Sequence, residues 1–398
     1  MNQADNVGAN VRRARLYRGM SLEVLAGLIG RSKGWLSMVE NGRLRLERRS
    51  DITAIADALA VSAVDLLGEP APVIGARQAG IDVVPLREVL LENTLDDPPD
   101  IPVRDIKTLT AEAHGPLHEA RRRADYAAVC RALPGLIAEL HVHAAASGED
   151  DQRAALQLLT DLCTCATFTL RHLGQADLAW IAAERAERAA SRLGEPTWIG
   201  AAALARAHGR PAAALTRALR TVGEAAETLE PHVGDDLTAG QVYGMLHLSA
   251  ALGAEVGKNT ASAQDHIAEA ARVAARLGDS ESAWQSFGPA NVATWQVTVA
   301  VEAGEPGRAL EYAAAVGPGA PLSRGRRAGV AIETAKAEAM LGRYGQAASS
   351  LRRAEKLAPT QVHENPMVRD LVGNMLRRAR REAGGRELRG LAWRMGIE

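Results

Sequence analysis

The sequence predicts an all-α protein in two parts, a small N-terminal helical domain and a long array of helical repeats. Three observations predict it. The chain is 47% hydrophobic but only 3% aromatic over 398 residues, a mix rich in Ala, Leu, Arg and Glu that favours helices over a β-sandwich. Apolar residues recur at helical spacing almost throughout, in runs broken mostly at glycine. Residues 19–42 place two serine-capped helix starts on either side of a glycine turn.

The first helix is expected over Val7 to Tyr17, with Val7, Val11, Ala14 and Leu16 as its buried stripe and Arg12, Arg13, Arg15 and Arg18 on its solvated side. Gly19 suits a left-handed helix end. Ser21 caps a second helix reaching Ile29, with Leu22, Leu25, Ala26 and Ile29 inward. Gly30 permits a tight turn, and Ser32 caps a third helix whose Leu36 and Val39 point back at the first. Ser32, Lys33, Gly34, Ser37 and Met38 are left facing outward. This spacing is that of a helix-turn-helix whose second helix enters a DNA major groove. Lys33 can donate to guanine O6 or N7, and Ser37 can donate or accept at a base edge. Gly34 allows close approach but reads nothing itself. Trp35 is either a core anchor or a stacking partner for a sugar-phosphate or a thymine methyl. From Arg31 to Arg49 six basic residues stand against two acidic ones, in a chain of formal net charge −1. Arg31, Arg43, Arg45, Arg48 and Arg49, with Arg12 and Arg13 of the first helix, are candidates for neutralising phosphates. Asp51 to Ala60 gives a fourth helix and Val61 to Leu67 a short fifth.

Residues 7–68 resemble the lambda-repressor and Cro-type (XRE) helix-turn-helix family. The resemblance rests on Gly19-x-Ser21, Leu25-Ala26, Gly30-x-Ser32, Leu36-Ser37, Glu40-Asn41-Gly42 and Ile55-Ala56-x-Ala58-Leu59-x-Val61-Ser62. It implies a five-helix lambda-repressor-like domain over residues 1–68, with a double-stranded DNA operator as partner. A single recognition helix covers few base pairs, so a homodimer on a pseudo-palindromic site is expected. Leu22 departs from the family, which commonly carries Gln there for a backbone or base-supporting contact.

Residues 69–104 read as a tether, because Pro70, Pro72, Pro85, Pro98, Pro99 and Pro102 crowd it. One short helix, Leu86 to Glu92, fits behind Pro85. From Asp105 onward, helical runs alternate with recurring turn phrases. These are Leu173-Gly174-Gln175-Ala176-x-x-Ala179, His208-Gly209-Arg210-Pro211, Val256-Gly257, Ala303-Gly304-Glu305-Pro306 and Leu341-Gly342-Arg343-Tyr344. Arg192-Leu193-Gly194 and Arg276-Leu277-Gly278 form a second phrase closing later helices. A helix, a glycine turn and a helix opening with Ala-x-x-Ala resemble the tetratricopeptide (TPR) design, in which stacked pairs bury faces that one pair cannot. A TPR-like α-solenoid is expected over residues 105–398, with Glu387 to Arg394 as its capping helix. The glycine gaps of 35, 48, 47 and 38 depart from the 34 of that family.

The combination resembles actinobacterial XRE-TPR regulators and the RRNPP peptide receptors of quorum sensing. That resemblance implies a body that senses a peptide or small effector. Candidate ligand residues are Tyr243, His247, Trp284, Asn291, Trp295, Arg324, Arg327 and Lys336, with Asn291 and Trp295 four apart on one face. An alternative is a TPR adaptor that recruits a protein partner, with the helix-turn-helix auxiliary; a third is an antitoxin-like or phage-type repressor.

Other signals carry less. Gly253-x-x-x-Gly257-Lys258-Asn259-Thr260 lacks the four-residue spacing and the Ser or Thr after Lys of a phosphate loop. His114 with His118, and His141 with His143, lack a third metal ligand. Cys163 and Cys165, with Cys130, suit structural thiols in a reducing cytosol. No nucleophile, base and orienting group occur together. The expectation is a non-enzyme without cofactor or metal. No leader-like N-terminus and no run of about 18 apolar residues appears, so a cytoplasmic protein without a membrane span is expected.

Overall fold

The computed structural model describes residues 7–46, 48–61, 66–67, 81–146, 148–209, 215–234, 236–379 and 386–397. The N-terminal domain holds α1 (Val7–Tyr17), α2 (Leu22–Leu28), α3 (Lys33–Glu40) and α4 (Arg49–Leu59). The serine caps form as expected. Ser21 Oγ accepts from Val24 N at 3.2 Å and Ser32 Oγ from Trp35 N at 3.1 Å, satisfying amides that the first turn leaves without partners. Val11, Leu25, Leu36, Ile55 and Leu59 are wholly buried between the four helices. Most of the expected fifth helix, and the linker to residue 80 with Pro70 and Pro72, lies outside the described residues.

Two expectations for α1 are corrected. Leu16 is 58% exposed, whereas Arg15, placed on the solvated side by the sequence reading, is 7% exposed. Residues 7, 11 and 15 stand one turn apart on a single face, and residue 16 is rotated about 100° beyond it. Arg18 also does structural work: its Nε and Nη2 donate to Leu59 O and Ala60 O, both at 2.8 Å. A cation there closes the carbonyl end of α4.

The second part begins at α5 (Val84–Glu92), which opens with Pro85 and buries Leu86, Val89 and Leu90. Arg185 Nε donates to Leu90 O at 3.1 Å, so this linker helix is docked on the array that follows. Next come α6 (Ile106–Glu112), a π-helical turn over Ala113–Leu117 containing Pro116, α7 (His118–Arg122) and α8 (Tyr126–Ala146).

Five helix pairs form the array. They are α9 (Glu149–His172) with α10 (Ala176–Leu193), α11 (Pro196–Gly209) with α12 (Leu215–Leu229), α13 (Leu237–Val256) with α14 (Thr260–Leu277), α15 (Pro289–Ala303) with α16 (Pro306–Ala315), and α17 (Arg324–Met340) with α18 (Tyr344–Leu357). Four of the recurring glycine phrases, at Gly174, Gly257, Gly304 and Gly342, are turns inside these pairs, and the fifth, after Gly209, lies outside the described residues, so the repeat reading of the sequence corresponds to an α-solenoid. At the third turn Lys258, not Gly257, takes the left-handed conformation, with φ +62°. Asn259 beside it caps α14 through Ser262 N. The near-miss phosphate loop is therefore a helix end followed by a cap.

Small side chains explain how so few aromatic residues suffice. Ala179, Ala182, Ala183, Ala186, Ala189 and Ala190 are all buried in α10, which lets its neighbours approach closely. The largest fully buried side chain among the described residues, Phe287, rests on Gly244 of α13, where any Cβ would overlap its ring. The array is followed by α19 (Pro359–His363), α20 (Pro366–Ala379) and α21 (Arg386–Arg394).

The solenoid curls back on itself. His118 Nε2 and Arg122 Nη1 reach Glu281 O at 3.0 and 3.1 Å, and Gln361 bonds Tyr126 Oη. Among the described residues there is no strand, the three cysteines are free and buried, and no helix is long and apolar enough to cross a membrane.

Candidate nucleic-acid interface

On α3, Leu36 and Val39 face the core, while Ser32, Lys33, Gly34 and Met38 are exposed and Ser37 is half-buried. A Cβ on Gly34 would meet only Ser32 Oγ, at 4.0 Å, so the backbone is open to close approach. Lys33 Nζ pairs with Glu23 Oε1 at 2.5 Å, both side chains largely in water. The Lys33 hydrogen bond holds the Glu23 carboxyl below its ordinary value. Such a surface pair is weak, so Lys33 leaves it at little cost. Asn41 Nδ2 donates to Ser37 O at 2.8 Å and Ser37 Oγ at 3.3 Å, tying the last turn of α3. Trp35 packs partly against the core, with the Arg31 guanidinium 4.9 Å above its ring.

A buried ion pair sets the position of α3 on α1. Arg15 Nε and Nη2 donate to the Glu40 carboxylate at 2.5 and 2.8 Å, and Arg15 Nη1 donates to Met20 O at 2.7 Å. The Glu40 hydrogen bond raises the Arg15 pKa further. This bidentate fork fixes the end of α3 against the start of the α1–α2 connection.

The basic residues divide into two groups. Arg12, Arg13 and Arg43 are exposed, Arg13 donating to Asn10 Oδ1 at 2.7 Å. Arg31 is half-buried and pairs with Asp51 at 2.6 Å. Arg45, Arg48 and Arg49 do not lie on the same free surface, which corrects the expectation that the whole loop faces phosphates. Arg45 lies over the Tyr344 ring at 5.5 Å. Arg48 lies across Gly304, where an added Cβ would stand 3.4 Å from its Nη1. The amides of Arg49 and Ser50 donate to the Glu302 carboxylate at 2.7 and 2.8 Å.

Glu302 is thus an N-terminal cap for α4 supplied from α15, some 250 residues away in sequence. It is 1% exposed, and its charge meets the positive end of the α4 dipole. Met367 of α20 also packs on the core of the N-terminal domain. Arg45 and Leu46 face Lys336, Met367 and Asp370 across a narrow crevice. The head is therefore latched to the body through α4 and the loop before it, with the outer face of α3 left exposed. Sequence spacing carries no signal for Glu302. Arg15 was recoverable, since it continues the Val7–Val11 stripe.

The eight candidate ligand residues do not line one open wall. Tyr243 is buried and donates to Glu269 Oε1 at 3.0 Å; His247, half-buried, stacks on it and lies 3.0 Å from His266 Nδ1. Trp284 Nε1 donates to Asp161 Oδ1 at 2.7 Å. Asn291 is wholly buried and donates to Gln285 O at 3.3 Å, and Trp295 on the same face is buried too. Arg324 is exposed and reaches Lys356 O at 3.1 Å, while Arg327 donates to Ala320 O. Lys336 is buried and bonds Glu333 at 2.8 Å. Tyr243, Asn291, Trp295 and Lys336 are corrected from groove-lining to packed positions, because their A-helix faces are covered by neighbouring helices or by the docked head. Three of the four paired histidines are likewise committed: His141 to Ile137 O, His143 to Arg104 O and His118 to Glu281 O. No group of three metal-ligating side chains occurs among the described residues.

Residues 6–67 match a family described as a helix-turn-helix domain. The chain thus carries an N-terminal helix-turn-helix domain, which supports a DNA-binding regulator, joined to an all-α solenoid. No curated protein matches the chain.

Proposed function

We propose that this protein is a ligand-responsive transcriptional regulator of the XRE type. Its head binds an operator as a homodimer, and its TPR-like body senses a peptide or small effector in the manner of RRNPP receptors. The reading makes it a cytoplasmic, non-catalytic protein that joins the nucleoid when DNA-bound. The observation that carries it is the exposed face Ser32-Lys33-Gly34-Ser37-Met38, set on a capped helix backed by the Arg15–Glu40 pair and clear of the body. Latching of α4 to the body offers the coupling: an effector that prefers one arrangement of the solenoid changes how the head is held, and only by its preference between arrangements.

The test is a mobility shift with the protein's own promoter region at moderate salt. A sequence-selective complex is expected. Lys33→Ala is expected to lower discrimination between sequences by about 1–3 kcal/mol at one base pair, with little change in non-specific binding. Absence of any sequence-selective shift sinks the proposal. A stable protein partner in a pull-down, with no effect of peptide-rich extract on melting, favours the adaptor instead.

A further inference from the structure

Where the body meets the head, cations and hydrogen-bond donors gather without acceptors to match them. Arg171, in the last turn of α9, lies 3.4 Å from His208 Nδ1 of α11, whose Nε2 is 2.9 Å from Ser249 Oγ. Its neighbour His172 is 3.4 Å from Gln361 Nε2. Arg326 of α17 donates to Gln285 O at 3.4 Å. Among the described residues neither guanidinium has a carboxylate partner. The nearby acids are committed elsewhere: Glu302 to two backbone amides, Asp161 to Trp284 and Arg121.

Unspent donors surround the same place. Trp295 Nε1 and Gln285 Nε2 are buried without a hydrogen-bond partner, as is Arg48 Nε on the head. The Trp295 ring is 6.2 Å from His208. Gln285 is held at φ +51°, with its carbonyl shared between Arg326 and Asn291. The head adds Arg49, whose positive field reaches Arg171 and His208. Arg171 is exposed and His172 half-buried at this junction; crowding by the surrounding protein, then the field of neighbouring cations, lowers Arg171 to about 10 and His172 to about 3. Burial alone brings Arg326 down to about 10. A buried donor left without a partner is costly, and native proteins keep few of them without a use.

We propose that this junction is a binding site for an oxyanion, a carboxylate or phosphate group of a small ligand, held by Arg171 and Arg326 with Trp295 Nε1 and Gln285 Nε2 as further donors and Arg49 of the head at its rim. The anion supplies the acceptors the site lacks and offsets the repulsion between head and body cations, so it draws the two parts together. The inference deepens the sensor half of the proposed function and rests on it only for the consequence at DNA. Anion binding is therefore measured on the full chain without DNA, so its failure leaves the DNA-binding reading standing, and a failed mobility shift leaves the anion site standing.

The experiment is thermal unfolding and titration calorimetry with inorganic phosphate and, separately, succinate, each against chloride at matched ionic strength. A saturable rise in Tm with at least one of them is expected; which one distinguishes a phosphate from a carboxylate ligand. Arg171→Gln with Arg326→Gln is expected to abolish the saturable rise, and in chloride to melt no lower than the parent, because mutual repulsion is removed. Trp295→Phe keeps the ring packing and is expected to weaken the anion Kd about tenfold, the loss of one hydrogen bond to a charged group. A rise no greater than chloride gives with both anions overturns the proposal. So does a saturable rise that survives the double substitution, or an unchanged Kd in Trp295→Phe.

Discussion

Removing Glu40 tests whether the buried ion pair holds α3 in place. Glu40→Ala leaves the Arg15 guanidinium, 8% exposed as a side chain, with its charge uncompensated and two of its three hydrogen bonds broken. Breaking a buried pair from one side costs about 3–5 kcal/mol. A domain of about 60 residues has roughly 3–9 kcal/mol of stability in total, so the variant is expected to lose most of it. Replacing both partners, Arg15→Met with Glu40→Leu, removes the stranded charge along with the pair and is expected to recover most of that loss. The assay is native-state hydrogen exchange of amides in α1 to α4, read against solenoid amides as an internal reference. If Glu40→Ala costs less than about 1 kcal/mol, or if the double variant is no more stable than the single, the pair is effectively solvated and does not position α3.

Three further outcomes are expected. Glu302→Ala removes the two bonds to the Arg49 and Ser50 amides and is expected to lower protection at the start of α4 by about 1–2 kcal/mol, with the Leu25 and Leu36 amides unchanged; equal loss everywhere would mean the latch is not local. In salt titrations of DNA binding, Arg43→Ala is expected to reduce the slope by about one, while Arg45→Ala, stacked on Tyr344, leaves it unaltered; the reverse ranking contradicts the placement of the loop. Burial and the fields of Arg171 and Arg326 depress His172 to about 3, and burial with His266 depresses His247 to about 4. The unfolded chain then binds protons that the folded chain refuses, so stability is complete above the ordinary histidine range and falls as pH drops from about 6.5 toward 3. His172→Gln is expected to shallow that fall by up to one proton in urea titrations, and an unchanged slope refutes the assignment.

Caps, turns and periodicity were legible because each is a local matter. Ser21, Ser32, Gly19 and Gly30 act within four residues of themselves, and the glycine phrases mark the described turns inside the solenoid pairs. The outward face of α3 followed from the same arithmetic. Arg15 marks the limit of local patterning: it sits on the buried stripe although its charge favours solvent, and what buries it is Glu40, 25 residues away. For the ligand residues the difficulty was greater. Tyr243, Asn291 and Lys336 do lie on A helices, but whether that face is open depends on how the solenoid curls and on what is docked against it.

The chain by itself determined the helices, their caps, the exposed reading face and the pairing of neighbours, since these rest on contacts a few residues apart. Only the tertiary structure decided that Glu302 caps α4, that Arg45 and Arg48 turn toward the body, and that Arg171 and Arg326 come to the junction with the head without a carboxylate partner among the described residues. The contacts of the head with the body join residues more than a hundred positions apart. Their energies depend on burial and on neighbouring charge, which no spacing in a one-dimensional sequence records.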